Sequence, residues 1–151
     1  MKSMYVNGKP TTGRSTGAIE VTDPATEEVI DCVPRGTAED VEDAVAAAAA
    51  AFSAWRECVA NDRATRLHEV ATKLRAHQEA LIELLTREQG KPCPENEEEV
   101  VWSANTFDYY AELGRHEMGA VLPPGSPSQL NFTRREPYGV VGCIVPWNYP
   151  L

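Results

Sequence analysis

The sequence predicts an α/β chain, and three observations carry that reading. Short runs of strand type open it. Alanine- and leucine-bearing segments at helical spacing fill its middle. An apolar run, Val140 to Val145, returns near its end and is followed by Pro146. Strands, then three or four helices, then two strands is the order expected of a helical layer packed on a sheet. At 151 residues the chain can bury a core and form one domain.

Each element follows from its residues. Tyr5 to Pro10 reads as a strand running into a turn at Asn7-Gly8. Ala18 to Thr22 and Glu28 to Val33 read as two strands. Asp23-Pro-Ala-Thr-Glu27 between them is turn chemistry, so the two are expected to form a hairpin. Thr37 is a good N-cap, with Glu39 and Asp40 in the first turn, where the helix dipole favours negative charge. Val41, Ala44, Val45, Ala48, Phe52 and Trp55 then fall on one helical face. Asn61-Asp62 is expected to cap a second helix with an inner stripe of Leu67, Val70, Ala71 and Leu74. His77 to Gln89 continues as helix, after a break, with Leu81, Leu84 and Leu85 inward. Gly90 suits the C′ position and Pro92 stops continuation. Pro94 suits the first turn of a fourth helix. Glu95, Glu97, Glu98 and Glu99 load its N-terminus, Val100, Ala104, Phe107 and Ala111 form its buried face, and Gly114 is expected to end it. Leu122 to Ser128 is a Pro/Gly/Ser linker. Leu130 to Glu136 alternates like a half-exposed strand, and Arg134, Arg135 and Glu136 place it at a surface or subunit boundary.

Composition excludes several classes. A net charge of −9 argues against nucleic acid, whose phosphates require a basic surface. An acidic protein in ordinary solution is the plainer reading, and a surface adapted to high salt the sharper one. The N-terminus lacks the apolar stretch of a signal peptide. No apolar run approaches the ~20 residues that span a bilayer, so no membrane partner is expected. Cys32, Cys58, Cys93 and Cys143 form no CxxC pair, which leaves reduced thiols in a cytoplasmic protein. His68, His77 and His116 show no ligand spacing and suit surface or helix-end positions, and no metal site is expected.

The final dozen residues carry the chemistry. Val140 to Val145 reads as a strand apolar on both faces, which wants neighbouring strands and helices on both sides. Pro146 ends its ladder. Trp147 and Asn148 follow on the loop at the strand's carboxyl end, where open α/β sheets bind ligands. A chain that stops on reaching such a site is expected to be the front part of an enzyme. No GxGxxG fingerprint follows the strand, and Gly139 and Gly142 read as turn and close-packing glycines.

Taken together these segments resemble the amino-terminal part of the aldehyde dehydrogenase superfamily. Tyr5 to Pro10 looks like its opening strand and turn, and Asp23 to Ile30 like its hairpin. Ala44 to Trp55 looks like its alanine-rich helix. Arg87-Glu-Gln-Gly-Lys-Pro92 looks like its helix end, and Asp108-Tyr-Tyr-Ala111 like its next helix. Arg134 to Gly142 followed by Ile144-Val-Pro-Trp-Asn-Tyr-Pro150 is the most specific block. The resemblance implies an aldehyde-dehydrogenase-like fold. Residues 1–151 would be an incomplete amino-terminal portion of its Rossmann-type cofactor-binding domain, and 122–138 the linker and oligomerisation strand. It implies oxidation of an aldehyde to a carboxylic acid with NAD or NADP, in a homodimer or homotetramer.

By the same resemblance Asn148 is the catalytic oxyanion donor. Attack on a carbonyl places negative charge on oxygen, and a fixed amide N–H stabilises it without reorganising. Read without the family, Asn148 would be a loop asparagine bonding backbone. Ile144, Val145, Pro146 and Trp147 resemble the segment that runs beside the nucleotide, and core packing is the plainer reading of Trp147. The family binds its nucleotide without the usual glycine fingerprint. Its nucleophilic cysteine and general-base glutamate are expected after Leu151, and Cys143 is expected to behave as a small buried hydrophobe. The 151 residues alone are therefore expected to be inactive and poorly soluble. Thr22 and Glu99 match a structural cation site of some members, with aspartate more usual at the latter. An ordinary helix-dipole role for Glu99 is the plainer reading. The alternative of another class is a stand-alone helical interaction module derived from such an enzyme, pairing with a partner by strand addition.

Overall fold

The computed structural model describes residues 2–151. Three two-stranded antiparallel hairpins surround four helices. β1 (Met4–Val6) and β2 (Lys9–Thr11) pair around the Asn7-Gly8 turn, where both residues take positive φ. The expected single strand is thus a small hairpin. β3 (Ala18–Thr22) pairs with β4 (Val29–Pro34), as the turn chemistry between them requires. Asp23 closes that turn: its Oδ1 accepts from Ala25 N–H at 2.8 Å and its carbonyl from Glu27 N–H at 2.8 Å.

α1 (Ala38–Glu57) starts on a full capping box. The Thr37 hydroxyl accepts from Asp40 N–H, and the Asp40 carboxylate accepts from Thr37 N–H at 2.9 Å. Asp40 also accepts from Arg14 N–H at 2.9 Å, which ties the β2–β3 connection to the helix start. These backbone donors, Thr37 first, hold the Asp40 carboxyl below its ordinary range. The apolar stripe expected on α1 is only partly covered. Ala44 and Phe52 are half-buried, whereas Val41, Val45, Ala48 and Trp55 are exposed. Residues of β1 with Val140 and Val141 line an open groove along that face without closing over it.

α2 (Ala60–Ala76), α3 (Gln78–Gln89) and α4 (Cys93–His116) form the compact part. α4 lies along α2 and against α3. The core is a seam of small residues: Ala64 and Ala71 from α2, Leu85 from α3, and Val100, Ala104 and Ala111 from α4. Spacings of four and seven keep each set on one face, and alanine lets the helix backbones approach closely. Leu84 and Val70, expected inward, are exposed because the seam is narrower than the apolar stripe.

Two boundaries differ from expectation, at the start of α2 and the end of α4, while the break at His77 agrees with it. α2 begins at Ala60 behind Val59, with no side-chain cap, because Asn61 turns its Oδ1 to accept from Arg115 Nε at 3.1 Å. The break at His77 is real: its Nδ1 lies 2.9 Å from the Lys73 carbonyl at the end of α2. α4 runs past Gly114 to His116, with Arg115 and His116 in its last turn, where the dipole favours positive charge. Gly90 closes α3 as expected, at φ +76°.

Outside the seam, α2 and α4 are bridged by His68. Its Nδ1 lies 2.6 Å from Asp108 Oδ1 and its Nε2 2.9 Å from Glu112 Oε1. Ionised carboxylates only accept, so this geometry suits a ring that donates from both nitrogens. Glu112, then Asp108, raise the His68 pKa, and His68 in turn lowers both carboxyls. Arg75 adds a second contact to Asp108 at 2.6 Å.

The last stretch is mostly irregular. β5 (Val121–Leu122) pairs with β6 (Asn131–Phe132), two residues each. The strand expected over Leu130 to Glu136 is therefore much shorter, and Leu130 and Phe132 are exposed. Val140 to Val145 is not a buried strand. It forms no ladder among the described residues, and Val141, Ile144 and Val145 are exposed. A strand exists only through its neighbours' hydrogen bonds, and residues 2–151 supply none there. Parallel pairing, the mark of a Rossmann-type sheet, is likewise absent among the described residues.

Candidate functional site

The site builds up from the junction of α3 and α4. Gly90 takes the left-handed conformation, which only glycine adopts without strain. A Cβ there would also meet Pro24 Cγ of the β3–β4 turn at 2.7 Å. Beyond it, Lys91 and Pro92 lead into α4. Asn96, fully buried in the second turn of α4, donates through Nδ2 to the Lys91 carbonyl at 3.0 Å and to Thr86 Oγ1 at 2.8 Å. That amide fixes the link against both helices.

Lys91 then turns its side chain back onto α4. Its Nζ pairs with Glu99 Oε2, and the side chains are 11% and 2% exposed. Glu99 is thus neither the dipole carboxylate of a first turn nor a surface charge. It lies almost wholly inside, satisfied by an ammonium. Buried charges persist only when paired and hydrogen-bonded.

Against this pair lies the segment carrying the expected site. Pro146, Trp147, Asn148 and Tyr149 make a turn, with Tyr149 N–H donating to the Pro146 carbonyl at 3.3 Å. Gln89 Nε2 donates to the Trp147 carbonyl at 2.9 Å, and Lys91 Nζ to the Asn148 carbonyl at 2.8 Å. Leu151 N–H donates to Glu99 Oε1 at 3.1 Å. The Tyr149 ring stacks on Trp102 of α4, with centroids 6.4 Å apart and planes 9° apart, and Lys91 Nζ lies 4.3 Å from its centre.

So the backbone of residues 147–151 is bound while its site-bearing side chains stay open. Asn148 is exposed at the turn, its amide free to meet another molecule. Ile144, Val145 and Trp147 are exposed, and Pro146 lies between them. Trp147 is 67% exposed, so among the described residues it is not packed in a core. Cys143, expected as a buried hydrophobe, is exposed among the described residues. Among the described residues no group of three or more His, Cys, Asp or Glu side chains could hold a metal.

Sequence reasoning missed Gln89, Lys91, Trp102 and Tyr149 as parts of this arrangement. One signal was available. A lysine between Gly90 and Pro92 sits in a rigid link, and Glu99 follows eight residues later on the adjoining helix face. Nothing in the one-dimensional pattern shows that residues 147–151 come back to meet them.

An α/β chain with this helical layer and an open loop amide has close counterparts among solved oxidoreductases. An NADP-dependent enzyme of Escherichia coli superposes with a TM-score of 0.96 at 33% identity, over 99% of this chain and 31% of that one. A betaine aldehyde dehydrogenase double mutant of Staphylococcus aureus, in complex with NAD+, superposes at 0.94 and 32% identity, over 99% of this chain and 30% of that one. The fold class is that of the amino-terminal part of these enzymes. The non-phosphorylating aspartate-semialdehyde dehydrogenase of Halomonas elongata is 39% identical over 147 residues, 97% of this chain and 30% of its own length. The model of the aldehyde dehydrogenase family matches residues 11–151, and the chain belongs to that family. It spans about 30% of the length of the relatives it matches.

Proposed function

We propose that the complete protein containing these residues oxidises an aldehyde to a carboxylic acid with NAD or NADP, and that Asn148 is its oxyanion donor. Membership of the family supports the reaction, and the similar enzymes named above include one NADP-dependent and one bound to NAD+. One observation carries the role of Asn148: its backbone is fixed through Lys91 while its side chain faces outward from a turn. An oxyanion donor needs that combination, since a donor that must reorganise loses most of its effect.

Ile144, Val145, Pro146 and Trp147 fit a dinucleotide. They are exposed and apolar, and they lead into the turn that carries the amide. The coenzyme, when bound, supplies the electron acceptor for the oxidation. These residues would contact the coenzyme and exclude water. Asn148 would donate its side-chain N–H to the carbonyl oxygen as charge develops there.

The exposed Leu130 and Phe132 on a two-stranded hairpin with open edges support an oligomer built through residues 122–138, a homodimer or homotetramer. A cytoplasmic setting belongs to the same reading and rests on four cysteines that are all free thiols.

The test is Asn148→Ala in the complete enzyme, assayed with aldehyde and coenzyme. A fall in kcat of about 10²–10³-fold, or ~2.7–4 kcal/mol of barrier, is expected. Full activity in the variant would refute the assignment.

A further inference from the structure

We propose that Lys91, with Gln89 beside it, is a positioning residue for Asn148, setting where the amide points without touching substrate. The proposal rests on the oxyanion reading of Asn148.

The chain of constraint is continuous. Asn96, with no exposed surface, holds the Lys91 carbonyl. Glu99, 2% exposed, holds the Lys91 ammonium. The ammonium in turn holds the Asn148 carbonyl at 2.8 Å. Gln89 holds the preceding carbonyl, that of Trp147, at 2.9 Å. Glu99 uses its second oxygen on Leu151 N–H at 3.1 Å. Two successive peptide groups at the centre of the turn are therefore anchored to one buried ion pair and one glutamine.

Among the described residues the turn is held from the helical side, through Gln89 and Lys91. A donor amide works only when held within ~0.5 Å of its productive geometry. A misplacement of ~1 Å can cost ~10²-fold in rate. Lys91 reaches Asn148 through its backbone carbonyl, which leaves the side-chain amide wholly available for substrate oxygen. A lysine suits this position because its three donors serve the carboxylate and the carbonyl together, while the Tyr149 ring covers one side.

The experiment uses the complete enzyme with aldehyde and coenzyme and compares Lys91→Met, Lys91→Arg, Gln89→Leu, Asn148→Ala and Lys91→Met/Asn148→Ala. Lys91→Met is expected to lower kcat about 10–100-fold, with KM for coenzyme within about twofold. Lys91→Arg should recover most of the loss. The double variant should be no slower than Asn148→Ala alone, because the clamp acts only through that amide. Gln89→Leu keeps the ion pair, guards against a Lys91→Met protein that does not fold, and should cost severalfold in kcat. In coenzyme-free protein, hydrogen exchange at the Tyr149 and Leu151 amides should speed up in Lys91→Met.

If Asn148→Ala is slow while folded Lys91→Met and Gln89→Leu keep kcat within twofold, the positioning role is refuted and the oxyanion reading stands. The role also fails if the Lys91 and Asn148 losses multiply, or if exchange does not change. If Asn148→Ala itself keeps its rate, both fall together.

Discussion

The Lys91–Glu99 pair makes a quantitative prediction about stability. Were it an exposed ion pair, breaking it would cost only ~0–1 kcal/mol, because water screens both charges. At 11% and 2% exposure it is not exposed. Replacing Lys91 by Met leaves the Glu99 carboxylate inside with one remaining described donor, Leu151 N–H. Removing one partner of a buried pair costs ~3–5 kcal/mol. Glu99→Gln should cost less. The ammonium keeps the Asn148 carbonyl and the Tyr149 ring, and Gln retains an oxygen to accept from it. Replacing both, as Lys91→Met/Glu99→Leu, removes both desolvation penalties, so it should be less damaging than Lys91→Met alone. Urea unfolding of the complete protein and of these three variants compares their losses from midpoints and slopes. The asymmetry is the informative outcome. Equal losses below ~1 kcal/mol in both single variants would mean that the pair is solvated, and the burial argument would fail.

Two further outcomes follow from geometry elsewhere. His68 has its pKa raised above the ordinary 6.5 by Glu112 and Asp108, so the stability it adds is full below that value. It is lost as pH rises through the folded pKa. At the acid end the lowered Glu112 and Asp108 carboxyls contribute above their ordinary 4.5 and 3.8, and that contribution fades as they protonate. The Tm gap between wild type and His68→Gln should therefore be widest in mildly acidic buffer and close in alkaline buffer, and a gap independent of pH would refute the bridge. Gly90→Ala places a Cβ at φ +76° and 2.7 Å from Pro24 Cγ. It should lose at least ~1–2 kcal/mol in denaturant unfolding from the left-handed backbone alone, and an unchanged midpoint would show that the turn yields.

Much of the helical layer was legible because its causes are local. Thr37 with Asp40 is a capping signal within four residues, and Gly90 followed by Pro92 is a stop signal within three. Asp23 to Glu27 specified its hairpin in the same way. Periodicity found the seam residues Ala71, Leu85, Val100, Ala104 and Ala111. It overestimated the seam's width on α1, where an apolar face does not reveal which other chain segment will cover it. The run Val140 to Val145 shows the same limit in sharper form. Its composition speaks for a strand, but a strand is a relation between segments, and the described residues provide no second member.

The candidate site divides along the same line. Its exposed members, Asn148 with Ile144 to Trp147, stood out in the sequence as an apolar run ending in Pro, Trp and Asn. Their supporting members did not. Lys91 and Asn148 are far apart along the chain, and Glu99 looked like one acid among several at the head of a helix. What the sequence determined by itself was the set of elements, their caps and breaks, and the family to which their order belongs. Only the tertiary structure decided that a lysine from a two-helix link, made costly to expose by its pairing with a buried carboxylate, reaches across to fix the turn that carries the amide. Local signals act over a few residues of backbone, whereas the fate of a buried charge depends on what the whole fold brings within hydrogen-bonding distance.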